Sequence, residues 1–371
     1  MESTPNPSNA APGAEKTPEN WLAFRLSSLG DVALTGGVLE YLHRERGLTF
    51  TLATRKPFGD LFLHHPAVRE IREFSKAELA GLAGLKALRA LAAEFSGQGL
   101  LDLHSSLRSR FLGLCWNGPV RRYPKLSLER RLFLREKSPG RAAPLLAASV
   151  TQRYALAMLD QAPPPEALRP KVYLTEEEKN RARKRLELIF AAPGQSAPGQ
   201  SAPGQSAPDL EAEKSQAGPV ILHPYATHAR KTWPPENWRE LARLLDKRGL
   251  PWICVGQGEA LFPGDPRDLS NATGLRELCA LLSLGALLVT GDSGPAHLAA
   301  AVDAPVLAMF GPTTREWGFY PCGPGDRVLE LPLPCRPCSL HGASDCPRNG
   351  ECMRGISVEL VLENILAMTR A

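Results

Sequence analysis

Apolar and polar positions along this chain alternate between two recurring patterns. Short apolar runs that break at Gly, Ser, Asp or Pro read as buried strands, and stretches with apolar residues three and four apart read as helices. Residues 21–26 (WLAFRL) form the first run, followed by the turn SSLGDV and a helical pattern from about 35 to 46. Strand patterns recur at 48–54, 68–74 and 99–105, with the helical stretch ALRALAAEF ahead of the last. A helix-rich region containing TQRYALAMLD and EEEKNRARKRLELI comes next. A second series then runs through strands at 219–224, 251–257, 286–292 and 305–313. Helices at 235–249, 274–285 and 295–302 alternate with them, and SVELVLENILAMTR closes the chain. Alternating strands and helices predict βαβ units and parallel sheets. The expected fold class is therefore α/β, with two Rossmann-like halves facing a cleft.

The segment APGQSAPGQSAPGQSAP (192–208) interrupts this rhythm with three copies of a five-residue unit. Its small, polar and helix-breaking residues cannot form a core, so it reads as a passive spacer near a domain boundary. The expected divisions are a Pro-, Ser- and Ala-rich tail (1–20), a first domain (21–175), a helix with the insertion (176–217), a second domain (218–355) and a closing helix (356–371).

Composition narrows the classes. At 371 residues the chain has room for about two domains of roughly 100–200 residues each. A net charge of +5 is too small to argue for nucleic acid, which is not an expected partner. No apolar run approaches the roughly 18 residues of a membrane span. The first residues lack a signal peptide's basic and apolar regions, and eight cysteines in a chain this long do not make a disulfide scaffold. A reduced, cytoplasmic protein is expected.

The motifs all fall at carboxyl ends of predicted strands, where parallel α/β sheets bind ligands. In RLSSLGDVALTGG, Ser27, Ser28 and Gly30 make a turn rich in backbone N–H groups, and Asp31 opens the helix. Asp31 reads either as a helix cap or as a carboxylate that takes a proton from a bound hydroxyl. In HPYATHARKTWPPENW, Arg230 and Lys231 precede a Pro-started helix, where a cation can neutralise a phosphate; Trp233 and Trp238 read as packing residues. In LVTGDSGPAHLAAA, Gly291 and Gly294 allow close backbone approach, while Ser293 and His297 sit at a helix start. FGPTTREWGFYP repeats the device, with Gly311, Thr313 and Thr314 as candidate phosphate or ribose ligands.

Taken in order, these segments together with LLDLHSSLRSRFLG resemble glycosyltransferase family 9, the ADP-heptose:lipopolysaccharide heptosyltransferases. The resemblance runs from Trp21 onward apart from the APGQS insertion. It implies a GT-B fold, with the acceptor held mainly by the first domain and the nucleotide-sugar by the second. It also implies an inverting transfer of heptose from ADP-heptose to the lipopolysaccharide inner core, peripherally at the inner face of the inner membrane, with no cofactor required for catalysis. Residue by residue, it maps the general base onto Asp31 and the donor-phosphate cation onto Lys231. Asp292 and His297 line the donor site in the same mapping. Thr227, Arg230, Ser293, Gly294, Gly311 and Thr313 complete the donor set, and Ser28, Gly30, Arg108 and Arg110 the acceptor set. Alternatives are a GT-B transferase with another nucleotide-sugar or a protein acceptor, and a non-catalytic nucleotide-binding scaffold.

Two features stand apart. Residues 104–137 hold nine Lys/Arg against two Glu, either a solvated face or a patch for an anionic acceptor. Cys335, Cys338, Cys346 and Cys352 follow a C-x2-C-x7-C-x5-C spacing that suits a structural zinc or an iron–sulfur group, with His341 as a substitute ligand. Reduced thiols and disulfides are the competing readings.

Overall fold

The computed structural model describes residues 19–191, 218–342, 346 and 348–369. Most of the N-terminal tail and the whole APGQS tract lie outside the described residues. So do the predicted closing residues 370–371 and, within the cysteine-rich segment, 343–345 and 347.

The first half runs β1 (Asn20–Phe24), α1 (Leu29–Arg46), β2 (Thr49–Arg55), β3 (Val68–Phe74), α2 (Gly81–Glu94), β4 (Gly99–Asp102), α3 (Leu107–Cys115) and β5 (Val120–Arg122). Its five strands pair in the order β3-β2-β1-β4-β5, every pair parallel. The central β1 is apolar on both faces because both are covered: Trp21, Leu22, Ala23 and Phe24 are all buried. Three short helices follow, α4 (Ser127–Glu136), α5 (Pro139–Leu146) and α6 (Val150–Ala155), and, after an irregular stretch, the longer α7 (Glu176–Phe190).

The second half continues with β6 (Val220–His223), α8 (Pro235–Lys247), β7 (Trp252–Gly256), β8 (Asp268–Ser270), α9 (Leu275–Leu284), β9 (Leu287–Gly291), α10 (Gly294–Ala301), β10 (Val306–Met309) and β11 (Arg327–Leu329). These strands form a second parallel sheet, ordered β11-β10-β9-β6-β7-β8. The short α11 (Glu351–Arg354) and the closing α12 (Val358–Thr369) pack over it. Trp233 and Trp238 are packing residues, as expected: they meet edge to face at 5.2 Å, and Trp233 Nε1 donates to Ile356 O.

Two differences from the sequence pattern have physical reasons. Helix α1 starts at Leu29, six residues earlier than its hydrophobic period suggests, because Ser28 and Asp31 hydrogen-bond across its first turn. Strands β5, β8 and β11 have three residues each and carry charge, so they show no apolar run; they form as outer additions to sheets already built.

One core cluster crosses between the halves, joining Val32 and Leu39 of α1 to Leu298 of α10 and Ile221 of β6. The double glycine of α1 serves this packing. A Cβ on Gly37 would fall 1.8 Å from Arg169 O, and one on Gly36 2.8 Å from Lys171 O. Among the described residues no helix is long and apolar enough to cross a membrane.

Candidate functional site

Parallel strands deliver their following turns to the carboxyl edge of a sheet, and here two such edges face each other. The turn after β1 and the turn after β9 come into direct contact. A Cβ on Gly30 would lie 2.6 Å from His297 Cδ2, and one on Gly294 3.1 Å from Leu29 Cδ2. Glycine at both positions lets two helix amino-termini, one from each half, abut at the floor of the cleft. Each end presents unpaired backbone N–H groups and partial positive charge.

On the first side, Asp31 is tied at both oxygens. Its Oδ2 accepts from Ser28 N at 3.2 Å and Ser28 Oγ at 2.8 Å, and meets the Arg25 guanidinium at 2.7 Å. Its Oδ1 accepts from the Tyr154 hydroxyl at 3.1 Å. Burial alone would raise the pKa of this carboxyl. The Arg25 charge and the Ser28 and Tyr154 bonds outweigh it and hold Asp31 below the usual carboxylate value, so it stays ionised. Arg25 is buried, donates to Leu103 O at 2.5 Å and lies over the Tyr154 ring.

Further cations gather near this carboxylate. Burial, with Arg25 next, lowers the Lys125 pKa, and burial lowers that of Arg130. Asp31 acts on both in the opposite sense. His104 is pushed down to about 4, first by burial and then by Arg25 and Lys125, so it is neutral. Several buried polar atoms here have no hydrogen-bond partner, among them Arg25 Nε, His104 Nδ1 and Arg130 Nε. A patch of buried donors without acceptors is suited to an anionic or hydroxyl-rich ligand.

On the second side, Lys231 Nζ meets Asp292 Oδ2 at 2.5 Å, and Thr313 Oγ1 donates to the same oxygen at 2.6 Å. The loops after β6, β9 and β10 are thereby locked together in front of α10. Behind them, Thr290 Oγ1 links His223 Nδ1 and Ser293 Oγ, each at 2.9 Å. Burial pushes His223 down to about 4 and also lowers His297, so both rings are neutral at pH 7. Gly291 is required by close approach, since a Cβ there would sit 2.7 Å from Lys231 O.

The structure thus brings together Ser28, Gly30, Asp31, Lys231, Asp292, Ser293, Gly294, His297 and Thr313. The other expected residues lie differently. Thr227 is exposed on the loop after β6, and Arg230 sits on the three-residue turn Ala229–Lys231 near Gly350. Gly311 has its open side filled by Met353 and Cys352, so its smallness serves packing. Arg108 and Arg110 are exposed on α3 and make no side-chain hydrogen bond or ion pair among the described residues. The cations whose charge reaches Asp31 are Arg25, Lys125 and Arg130. Sequence reasoning missed Arg25 and Tyr154. Arg25 carried one signal, a charge at the end of an apolar strand six residues before the aspartate. Tyr154 carried none, since it arrives from α6.

The cysteine-rich segment lies against this site. Gly342 packs on the Lys231 side chain, and His341 faces His228 with ring centroids 6.4 Å apart. Burial raises the Cys338 and Cys352 thiols, and each of the two is raised further by the neighbouring thiols. Gly350 N donates to Cys346 Sγ at 3.2 Å. Among the described residues, however, no three His, Cys, Asp or Glu side chains converge as a metal-ligand set, and no disulfide pairs the eight thiols. The thiols are neighbours without forming a ligand shell.

The sequence model of glycosyltransferase family 9 (heptosyltransferase) matches residues 167–344. That match covers just under half of the chain. It is 37% identical over 132 residues to lipopolysaccharide heptosyltransferase 1 of Pseudomonas aeruginosa, an alignment of 32% of this chain and 35% of that protein. The chain therefore matches about a third of the length of this curated relative. Its fold is that of a glycosyltransferase of family 9 from Veillonella parvula (TM-score 0.66, 16% identity, covering 95% of this chain and 97% of the other). The ADP-heptose heptosyltransferase II of Escherichia coli shares it as well (TM-score 0.63, 18% identity, 95% and 98% covered). The two facing parallel sheets of this chain are a GT-B fold.

Proposed function

We infer that this chain is a glycosyltransferase of family 9 that transfers heptose from ADP-heptose to the lipopolysaccharide inner core, with inversion, at the inner face of the inner membrane. The observation that carries the reading is the abutment of Gly30 and His297. It sets an ionised Asp31 on one wall of the cleft and the Lys231–Asp292–Thr313 cluster on the other.

Each side does one half of the reaction. Asp31 accepts the proton of the acceptor hydroxyl as that oxygen attacks the anomeric carbon. The C–O bond to the β-phosphate breaks on the opposite face, and ADP leaves with the bond pair. Lys231 and the N–H groups opening α10 meet the charge that builds on the leaving pyrophosphate, and they are already oriented by Asp292 and Thr313. Neutral His223 and His297 leave the local charge to Lys231. Ser293, Gly294, Thr227 and Arg230 belong to the donor side in this reading. Ser28, Arg25, Lys125 and Arg130 belong to the acceptor side, where their excess positive charge suits a carboxylated or phosphorylated core sugar.

No step runs through the four cysteines. A structural zinc or iron–sulfur group there is a separate reading, supported by their spacing alone. Elemental analysis of anaerobically purified protein tests it: stoichiometric zinc or iron supports it, and neither metal leaves ordinary thiols.

The transfer itself is tested by ADP release from ADP-heptose, with and without core acceptor, beside UDP- and other ADP-sugars. Acceptor-dependent ADP release only with ADP-heptose is the expected result. Turnover of another sugar nucleotide, or binding without turnover, overturns it.

A further inference from the structure

The first domain carries a surface that its fold does not use. Ten large apolar side chains are exposed among the described residues, and six of them, Leu82, Leu85, Leu107, Leu114, Val120 and Leu128, fall on α2, α3, β5 and α4. Leu107 and Leu114 are the most exposed of all, at 87% and 86%. They lie seven residues apart on α3, with the half-buried Phe111 between them, so the three make one stripe along the helix. Its two ends, Leu107 and Leu114, face away from the core, which α3 meets through Leu112 and one side of Phe111.

Topology places the surface. Helices α2, α3 and α4 each follow a strand of the first parallel sheet, so their first turns lie along its carboxyl edge. That edge also carries Asp31. Leu82, Leu107 and Leu128 sit in those first turns, and Leu85 opens the second turn of α2. Lys125 Nζ bonds Ser105 O, which ties the approach to α4 to the turn that opens α3.

Charge identifies the occupant. Exposed cations flank these leucines: Lys86 and Arg89 on α2, Arg108 and Arg110 on α3, Arg121 on β5 and Arg131 on α4. None of the six is in an ion pair among the described residues, whereas exposed Arg181 on α7 and Arg243 on α8 each pair with a glutamate of their own helix. Isolated leucines set among unpaired arginines fit the interface of an anionic bilayer, where the apolar side chains enter the acyl boundary and the cations meet phosphate headgroups. Nucleic acid would use the arginines but leave the leucines in water.

We propose that the α3 stripe, with the first turns of α2 and α4, docks this protein on an anionic membrane and holds the acceptor-side mouth of the cleft over lipid-borne sugar. The proposal rests on the transferase reading for its purpose but not for its test. Full-length protein is floated with vesicles of phosphatidylcholine alone and of phosphatidylcholine with phosphatidylglycerol, over a salt series. ADP affinity is measured by calorimetry on the same samples. The parent should partition onto the anionic vesicles only, and less so as salt rises. Leu107→Gln with Leu114→Gln should lower that partition roughly 10- to 100-fold with ADP affinity unchanged. Arg108→Glu with Arg110→Glu should remove the preference for anionic lipid. The proposal is overturned if the parent stays in solution with both vesicle types, or if the leucine variant partitions like the parent. It is also overturned if sedimentation shows a dimer that the leucine changes dissolve while vesicles are ignored, which would assign the face to a second copy. Vesicle binding by a protein that binds no ADP would instead sink the transferase reading and leave this surface standing.

Discussion

In the first half, the turn after β1 delivers Asp31 to Arg25 and Tyr154, with Lys125 and Arg130 close enough to feel its charge. In the second half, the turn after β9 delivers Asp292 to one lysine and one threonine, beside two neutral histidines. Both sites use the same strand–turn–helix device, and both set an aspartate near a helix amino-terminus. The first aspartate answers only part of the cationic charge around it, and the second is balanced by Lys231. A carboxylate whose bonds come from its own turn and from neighbouring elements keeps a free role toward a ligand. A carboxylate that clamps a lysine serves the lysine. On this contrast we propose Asp31 as the base and Asp292 as the group that positions the cation.

The most direct way to break that contrast is to neutralise each aspartate's role in turn. Asp31→Asn should lower kcat by roughly 10²–10⁴-fold, the usual scale of general-base catalysis, with ADP affinity nearly unchanged. Steady-state ADP release with saturating acceptor and calorimetry with ADP measure the two halves. Turnover near the parent's would leave Asp31 as no more than a helix cap.

Lys231→Ala should act on the other partner. Loss of a hydrogen bond to a charged phosphate costs about 1.5–3 kcal/mol, or roughly 10- to 100-fold in ADP affinity, and the chemical step should slow as well. The variant also strands Asp292, so Lys231→Arg serves as control: it keeps the charge and should recover part of the binding. Unchanged ADP affinity in Lys231→Ala would remove this lysine from the donor site.

Gly30→Ala probes the contact between the two turns. Its Cβ would meet the buried His297 ring at 2.6 Å, and the helix floor cannot give way freely. Overpacking of this kind costs about 1–3 kcal/mol. The expected result is a lower unfolding midpoint and a reduced kcat, with the midpoint partly restored when His297→Ala is added. Full stability and activity in the single variant would mean that the turns part easily.

How much of this was legible in the chain can be argued from the same residues. Asp31, Lys231, Asp292 and His297 stand in the turns and helix starts that follow apolar runs, and parallel topology sends such turns to one edge. The pattern therefore brought them to the cleft without coordinates. Gly311 reads like Gly294 in sequence, yet Met353 and Cys352 fill the space beside it, because α11 returns from forty residues away. Arg108 and Arg110 show why a charge run misleads. The run spans a helix, an edge strand and a second helix, so only Lys125 and Arg130 come near Asp31, while Arg122 pairs with Asp102, Lys137 bonds Cys335 O, and Arg108 and Arg110 face water. Tyr154 was hidden altogether, since nothing in TQRYALAMLD marks a hydroxyl aimed at a carboxylate 123 residues earlier.

The smallest effect at neutral pH, and the finest test of the contrast, comes from Arg25→Gln. Two influences oppose each other at Asp31: burial raises its pKa, and the Arg25 charge leads the groups that lower it. With Arg25 present the folded pKa lies below the unfolded value, so Asp31 contributes stability above that unfolded value, near pH 4. That contribution is lost as pH falls through the folded pKa. Activity follows the same group, so the acid limb of kcat/KM should lie below pH 4 in the parent, where acid unfolding competes with it. Removing the guanidinium leaves burial in command. The limb should then move up by roughly 1–3 pH units into a range where the protein is folded. Rates at pH 8 should change far less than in Asp31→Asn, because the carboxylate is still ionised there and has become a stronger base. Arg25→Lys should restore much of the parent profile, which a loss of fold through the broken Leu103 bond would not do. A pH profile that Arg25→Gln leaves in place would mean that the cations around Asp31 do not set its charge, and the asymmetry between the two turns would lose its electrostatic basis.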